Sequence, residues 1–403
     1  MNAAIDGLRD PATIRARARA ISVAVADAQS PYWQFDGSRL EWAAHTVAEI
    51  TRTRYPTLAI PYHSRWRHFE AGGVDRAAEL DAALAGLDPD EQARSRVDLA
   101  IVAVLLDAGA GPQWRYRDGA HCCSRSEGLA VASFRAFMAG AFSSDPAQPL
   151  RVDGAALQQF DAGRLAALFQ VNADNPLVGL DGRVELLRRL GQTLLAQPQA
   201  FGADARPGGL FDLLTDHGRR REIDASALLR AVLDHSSDIW LAGNRLAGVA
   251  LGDVWPHPLA GGRGYGSGWM PFHNLSQWLT YSLFEPFEWA GITVNGREAL
   301  TGLAEYRNGG LLIDSGVLNL RDPPLAEQPW RASDTLIVEW RALTVHLLDV
   351  IADRVRALLG RSSEELPLAC VLEGGTWAAG RALAAERRGG LPPLNIVSDG
   401  TVF

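Results

Sequence analysis

The sequence predicts a mainly α fold with a few short strands, and three observations carry that prediction. Apolar residues recur at three- and four-residue intervals through most of the chain. The stretch Thr335 to Leu359 has the broadest such face, with Leu336, Val338, Leu343, Leu347, Ile351 and Val355 behind Asp334 as N-cap. Alternating strand patterns are sparse, the clearest being Leu368 to Leu372 and Asn395 to Phe403.

In chain order, the spacing predicts helices over Pro11–Ala26, where Ile14, Ala18, Ile21 and Val25 share a face, and over Ser38–Arg52. Pro31-Tyr32-Trp33 and Tyr55-Pro56 read as breaks. Ile60 to Phe69 mixes Arg65 and Arg67 with His63 and His68 and three aromatics. That mixture suits an anion held by guanidinium forks, and it equally suits a surface loop with ordinary ion pairs. Asp88 to Glu91 places acids at the positive end of the next helix. Asp107 to Pro112 ends it, and Arg125-Ser126-Glu127-Gly128 precedes a further helix through Met138. Pro146 to Gly154 is a candidate internal linker in what reads as a single two-lobed domain. Helices are then expected over Leu165–Val171, Arg183–Leu195, Ala225–Leu233, Leu275–Glu285 and Arg297–Tyr306, the last stopped by Gly309 and Gly310. Gly261 to Gly268 carries four alternate glycines without a nucleotide fingerprint and reads as a mobile loop or lid.

Composition narrows the function. Of 403 residues, 47% are hydrophobic and 21% charged, ordinary for a soluble globular protein, and the formal charge of -8 disfavours nucleic acid as a partner. All 39 basic residues are arginine, so Schiff-base chemistry on a lysine amine is closed. The three cysteines, Cys122, Cys123 and Cys370, give neither a zinc pattern nor a disulfide framework. Met1 to Asp10 lacks the apolar core of a signal peptide, and nothing approaches the ~18 uncharged apolar residues of a membrane span, so a cytoplasmic protein is expected.

Acids, histidines, aromatics and glycines crowd between Leu251 and Ser315, as around a pocket. Gly252-Asp253-Val254-Trp255-Pro256-His257-Pro258 opens that region, Pro271-Phe272-His273-Asn274-Leu275-Ser276-Gln277-Trp278 follows, and Leu300 to Gly310 contains Glu305-Tyr306-Arg307. A helix from Leu275 would place Gln277, Tyr281 and Glu285 near one face. Glu339 and Arg341 interrupt the apolar face of the helix that starts at Thr335. Neither the His63 and His68 pair nor Asp253 with His257 and His273 matches a recognised metal-ligand spacing, and no metal or cofactor is expected.

Phe272 to Gln277, then Leu300 to Arg307, then Gly316-Val317-Leu318 resemble, in that order, the queuosine salvage N-glycosylases. The resemblance covers the last two thirds of the chain. His63-Ser64-Arg65-Trp66, Asp107 to Pro112, Arg125-Ser126-Glu127-Gly128-Leu129, Gly252 to Pro256 and Phe272-His273 resemble, over essentially the whole length, the uracil-catabolism protein family, the fourth component of the ring-opening uracil pathway. This likeness implies cleavage of an N-ribosidic bond, with ribosylurea or its 5'-phosphate as substrate and urea as product, and a helical fold like that of the helix-hairpin-helix DNA glycosylases. Two departures from the salvage glycosylases stand out: their aspartate is Glu305 here, and their lysine falls at Asn274.

Cleaving such a bond builds positive charge on the anomeric carbon, which calls for an adjacent carboxylate. Glu305 is the expected catalytic carboxylate, with a surface partner of Arg307 as its alternative. Asp253 is a second catalytic candidate, and Asp253, His257, His273 and Asp399 are candidates to protonate the departing urea. Trp255, Phe272 and Trp269 would exclude water. The expected substrate contacts are Arg65, His68, Trp255, His257, Phe272, His273, Gln277, Tyr306, Arg307, Glu339 and Asp399. A metal-dependent amidohydrolase acting on a ring-opened pyrimidine, and a non-catalytic ligand-binding subunit, are the two competing readings.

Overall fold

The structure, a computed structural model, describes residues 2–107, 109–239 and 244–397. It is mainly α, with short two-stranded sheets between the helices. The described residues within Met1–His63, Asn244–Gln277 and Arg297–Ser398 form one compact unit, and those within Ser64–Gly243 and Trp278–Gly296 form another.

The first unit is built on the helix Thr335–Leu359, which is buried through most of its first five turns from Leu336 to Ile351. Helices Pro11–Ala26, Leu40–Arg54 and Tyr306–Asp314 pack on it, and the first of these starts on Asp10, whose side chain accepts from Ala12 N. Strand Trp33–Phe35 pairs antiparallel with Leu318–Leu320, and Trp33 closes onto the central helix by donating its indole N–H to the Leu336 carbonyl at 3.1 Å. Strand Val254–Pro256 pairs antiparallel with Trp269–Pro271. In the second unit the apolar helix Pro89–Leu105 is buried from Val97 to Leu105, against Arg125–Met138, Leu180–Ala196 and Gly209–Thr215. Residues 146–154 lie within this unit and join Arg125–Met138 to Gly154–Gln158.

The helices expected at Pro11–Ala26 and Thr335–Leu359 form over those residues, and the one expected to follow Gly128 and end at Met138 starts earlier, at Arg125. Other stretches fold differently. Leu368 to Leu372 is not a strand: Leu368–Val371 is a helical turn that runs into a wider, π-type turn over Leu372–Thr376. Its unbroken apolar run reflects burial on all sides and not sheet alternation. Of Asn395 to Phe403 only the part to Val397 is described, where Ile396 makes an isolated parallel bridge to Trp330.

Arg297 to Tyr306 is not a helix beyond the short turn Arg297–Ala299. Side chains from elsewhere take the backbone groups that a helix would use. Arg15 donates to the carbonyls of Ala299 at 2.5 Å and Leu300 at 2.6 Å, Gln277 Oε1 accepts from Thr301 N at 2.9 Å, and Asn308 Nδ2 donates to the Leu303 carbonyl at 3.2 Å. The helix starts one residue after Glu305 instead, and it contains Gly309 and Gly310. Gly309 serves close packing: a Cβ there would stand 2.6 Å from the Trp340 ring, whose Nε1 donates to the Gly309 carbonyl at 3.1 Å.

The helix expected to stop before Pro286 continues through it, over Asn274–Trp289. Proline leaves the carbonyl four residues back without its helical partner. That carbonyl, of Ser282, accepts from the Trp66 indole at 2.9 Å, so the helix continues without an orphaned group. Nor is Gly261 to Gly268 a free lid. Arg17 donates to the carbonyls of Ala260, Gly261 and Gly266, and a side chain at Gly262 would collide with its guanidinium.

Candidate active site

Glu305 occupies the N-cap of Tyr306–Asp314, with extended backbone and both carboxylate oxygens turned onto the helix start. Oε2 accepts from Arg307 N at 2.7 Å and Oε1 from Asn308 N at 2.5 Å. The helix start is held from behind. Asn308 is fully buried, accepts from Thr376 Oγ1 at 2.9 Å, and faces the helix Trp377–Arg388, where any side chain at Gly380 would collide with the Arg307 carbonyl. Part of the Glu305 surface stays open, yet protein surrounds the carboxyl closely enough that burial raises its pKa. The two backbone N–H groups and the charges of His63 and Arg307 work against that rise and do not cancel it. A carboxyl can accept about four hydrogen bonds, so the two backbone donors leave Glu305 capacity for more.

His63 is buried and is fixed by Glu373, whose Oε2 lies 2.9 Å from Nδ1. Glu373 also accepts from Arg54 Nη2 at 2.8 Å and the Tyr55 hydroxyl at 3.0 Å; against the cost of burial, His63 and then Arg54 hold its pKa down at about 2. An ionised carboxylate only accepts, so Nδ1 of His63 carries the hydrogen and Nε2 keeps its lone pair when the ring is neutral. The wide turn Leu372–Thr376 puts Glu373 there, and Gly375 lets the turn lie on Leu40–Arg54, since a Cβ would come 2.5 Å from the Val47 carbonyl oxygen. The result is a carboxyl whose pKa burial raises, within electrostatic reach of a histidine that a second carboxylate, held down at about 2, orients.

Asp253 is placed otherwise. Arg341 grips it with two bonds of 2.7 and 2.6 Å, Trp255 Nε1 donates at 2.7 Å and Asn274 N at 3.0 Å. Four donors fill the carboxylate, and Arg341 leads the forces that bring its pKa below the usual value despite burial. Asp253 therefore anchors the segment, with both carboxylate oxygens engaged. Phe272 lies under the Arg341 guanidinium at 3.9 Å from its ring centre. His257 accepts from Leu259 N through Nδ1, so its Nε2 carries the hydrogen and faces Glu339 Oε1 at 3.3 Å, and the other Glu339 oxygen accepts from Ser30 at 2.5 Å. His273 is buried, neutral by desolvation, and donates Nε2–H to the Leu8 carbonyl at 3.0 Å. Gln277 is spent on Phe272 and Thr301. Arg307 stacks on Tyr306 at 4.7 Å and donates to the Gly390 carbonyl.

Arg65 and His68 belong to the second unit, where Arg65 Nη1 lies 3.1 Å from His68 Nδ1 and 3.0 Å from Asp107 Oδ2. Arg67 pairs with Glu70 at 2.6 Å and with Glu285 at 2.7 Å. Asp399 lies outside the described residues. Sequence reasoning missed Glu373 and the orienting of His63. The one local signal was an acid followed by two glycines directly after an apolar run. Among the described residues no group of three or more His, Cys, Asp or Glu side chains is placed to hold a metal ion, and no helix is long and apolar enough to cross a membrane.

The fold and this site describe a helical protein in which His63, bonded to Glu373, also acts electrostatically on Glu305. Residues 7–403 match the family described as "Protein of unknown function (DUF1688)", and the chain belongs to that family. It is 40% identical over 380 residues to Protein urg3 of Schizosaccharomyces pombe, covering 92% of this chain and 91% of that one. It is 36% identical over 412 residues to Uracil catabolism protein 4 of Lachancea kluyveri, covering 94% and 93%.

Proposed function

We propose that this protein acts in uracil catabolism by hydrolysing the N-ribosidic bond of ribosylurea or its 5'-phosphate, with Glu305 as the carboxylate at the anomeric carbon. The observation that carries the reading is the state of Glu305: enclosed, raised in pKa, and, among the described residues, bonded by two backbone N–H groups of its own helix start. The name of the Lachancea kluyveri relative supports the pathway, and the reaction rests on the sequence resemblance of Phe272 to Gln277 and Leu300 to Arg307 to the queuosine salvage N-glycosylases.

In this reading the C–N bond breaks with its electron pair leaving on the urea nitrogen, which takes up a proton from solvent. The oxygen of a water forms the new bond to the anomeric carbon and gives its proton to Glu305, which returns it to solvent before the next turnover. Before that transfer the ionised Glu305 stabilises the cationic sugar, and enclosure strengthens the attraction because little solvent screens it. His63 adjusts the charge of Glu305, and Glu373 keeps the ring in one tautomer.

The direct test is to incubate purified protein with ribosylurea and, separately, with its 5'-phosphate, and to measure urea. Catalytic release from either supports the reading. No release from both, with the folded protein at stoichiometric concentration, overturns it.

A further inference from the structure

Arg65 is 0% exposed, yet half of its guanidinium is unused. Nη1 carries all the contacts: Asp107 Oδ2 at 3.0 Å, His68 Nδ1 at 3.1 Å and the Ser126 carbonyl at 3.2 Å. Nε and Nη2 have no hydrogen-bond partner among the described residues, and neither has the second oxygen of Asp107. Nε–H and Nη2–H point the same way along one edge of the planar group, at the spacing of two oxygens of a carboxylate or phosphate. A buried cationic donor without an acceptor is among the costliest features a fold can carry, so one in a well-packed unit calls for an explanation.

We propose that the second unit binds an oxyanion, a phosphate ester or a carboxylate, on the Nε and Nη2 edge of Arg65. The edge is held rigid for that task. Arg65 N donates to Ser282 Oγ at 2.9 Å, Ser282 is fixed within its own helix by a bond to the Trp278 carbonyl at 2.9 Å, and the guanidinium lies 5.6 Å from the Trp278 ring centre. Arg183, which donates to the Leu106 carbonyl at 3.0 Å, adds a second positive charge felt by both Asp107 and Arg65. Asp107 and Glu127 oppose an incoming anion. Burial outweighs mutual attraction on both partners of the ion pair, pulling Arg65 down and pushing Asp107 up, as for a pair that is incompletely compensated. With its carboxyl raised, Asp107 takes up a proton more readily as an anion arrives and can then donate from its unpartnered oxygen. Arg67, two residues on, has its terminal nitrogens on Glu70 and Glu285 and is not part of the site. The inference does not depend on the chemistry at Glu305.

The test uses the full chain and titrates inorganic phosphate and acetate separately by calorimetry. Parent protein is expected to bind one equivalent of one of them. Phosphate alone assigns a phosphate ester, acetate alone a carboxylate, and both an undiscriminating oxyanion site. Arg65→Lys keeps the charge and removes the edge, and should weaken binding at least tenfold. Asp107→Asn keeps an acceptor for Nη1 and removes the opposing charge, and should tighten binding severalfold. Circular dichroism confirms that each variant is folded. No saturable binding of either anion, or an affinity unmoved in folded Arg65→Lys, overturns the proposal.

Discussion

Asp253 and Glu305 are both acids of the first unit enclosed by protein, yet burial raises the carboxyl of one and fails to raise the other. The difference lies in the donors. Asp253 meets a guanidinium fork, an indole and a backbone N–H, and its pKa is lowered; Glu305 meets two backbone N–H groups of its own helix, and its pKa is raised. Enclosure alone does not raise a carboxyl. What raises it is enclosure without a full set of donors.

Three substitutions sharpen or break this contrast. The largest effect is expected at the acid whose pKa is lowered. Asp253→Asn leaves Arg341 buried without its anion and should cost about 3–5 kcal/mol in urea unfolding, with turnover per folded molecule much less affected. A stable Asp253→Asn protein that has lost urea release would move Asp253 into the chemistry.

Glu305→Gln should reverse that pattern. Turnover is expected to fall ~10²-fold, about 2.7 kcal/mol, with substrate affinity largely kept. Its stability should move little, because a weakened cap of ~1 kcal/mol opposes relief from a buried charge. The pH dependence has a definite sign. A raised carboxyl favours its protonated form in the folded state, so the parent should gain stability relative to Glu305→Gln as pH falls through the folded value toward 4.5, the ordinary value. An unchanged rate in a folded variant removes Glu305 from the reaction.

Glu373→Gln should have the smallest effect on rate, ~10-fold, because it loosens His63 without removing it. Here the linkage runs the other way. The carboxyl is held down at about 2, so its stabilising contribution is complete above 4.5 and should fade as pH falls from there toward 2. Denaturation curves for parent and variant should converge over that window, and parallel curves would mean that His63, Arg54 and Tyr55 do not hold Glu373 as described.

Much of the fold was legible in sequence because helical periodicity is local: Thr335–Leu359 shows its buried face without reference to anything else. Glu305 was legible as a chemical candidate from the residues around it. Its placement at the start of a helix was not, since Arg15, Gln277 and Asn308 decide that by capturing the backbone before it, and the first of these is 284 residues from the Ala299 carbonyl it binds. His63 and Glu373 are 310 residues apart, so neither residue's neighbourhood announces the other. Pro286 misled for a similar reason, the rescue of Ser282 coming from an indole 216 residues away.

The π-type turn at Leu372–Thr376 amounts to a phase slip in an otherwise α-helical run. One residue more than an α turn is accommodated there, so side chains before and after the slip are rotated by about 100° relative to an unbroken helix. A single-residue deletion at Gly374 would let the run anneal into a regular helix. If Trp377–Arg388 keeps its place against the Glu305 helix, Glu373 must then swing off His63. Shortening the chain there by one residue would separate Glu373 from His63 with both side chains still present.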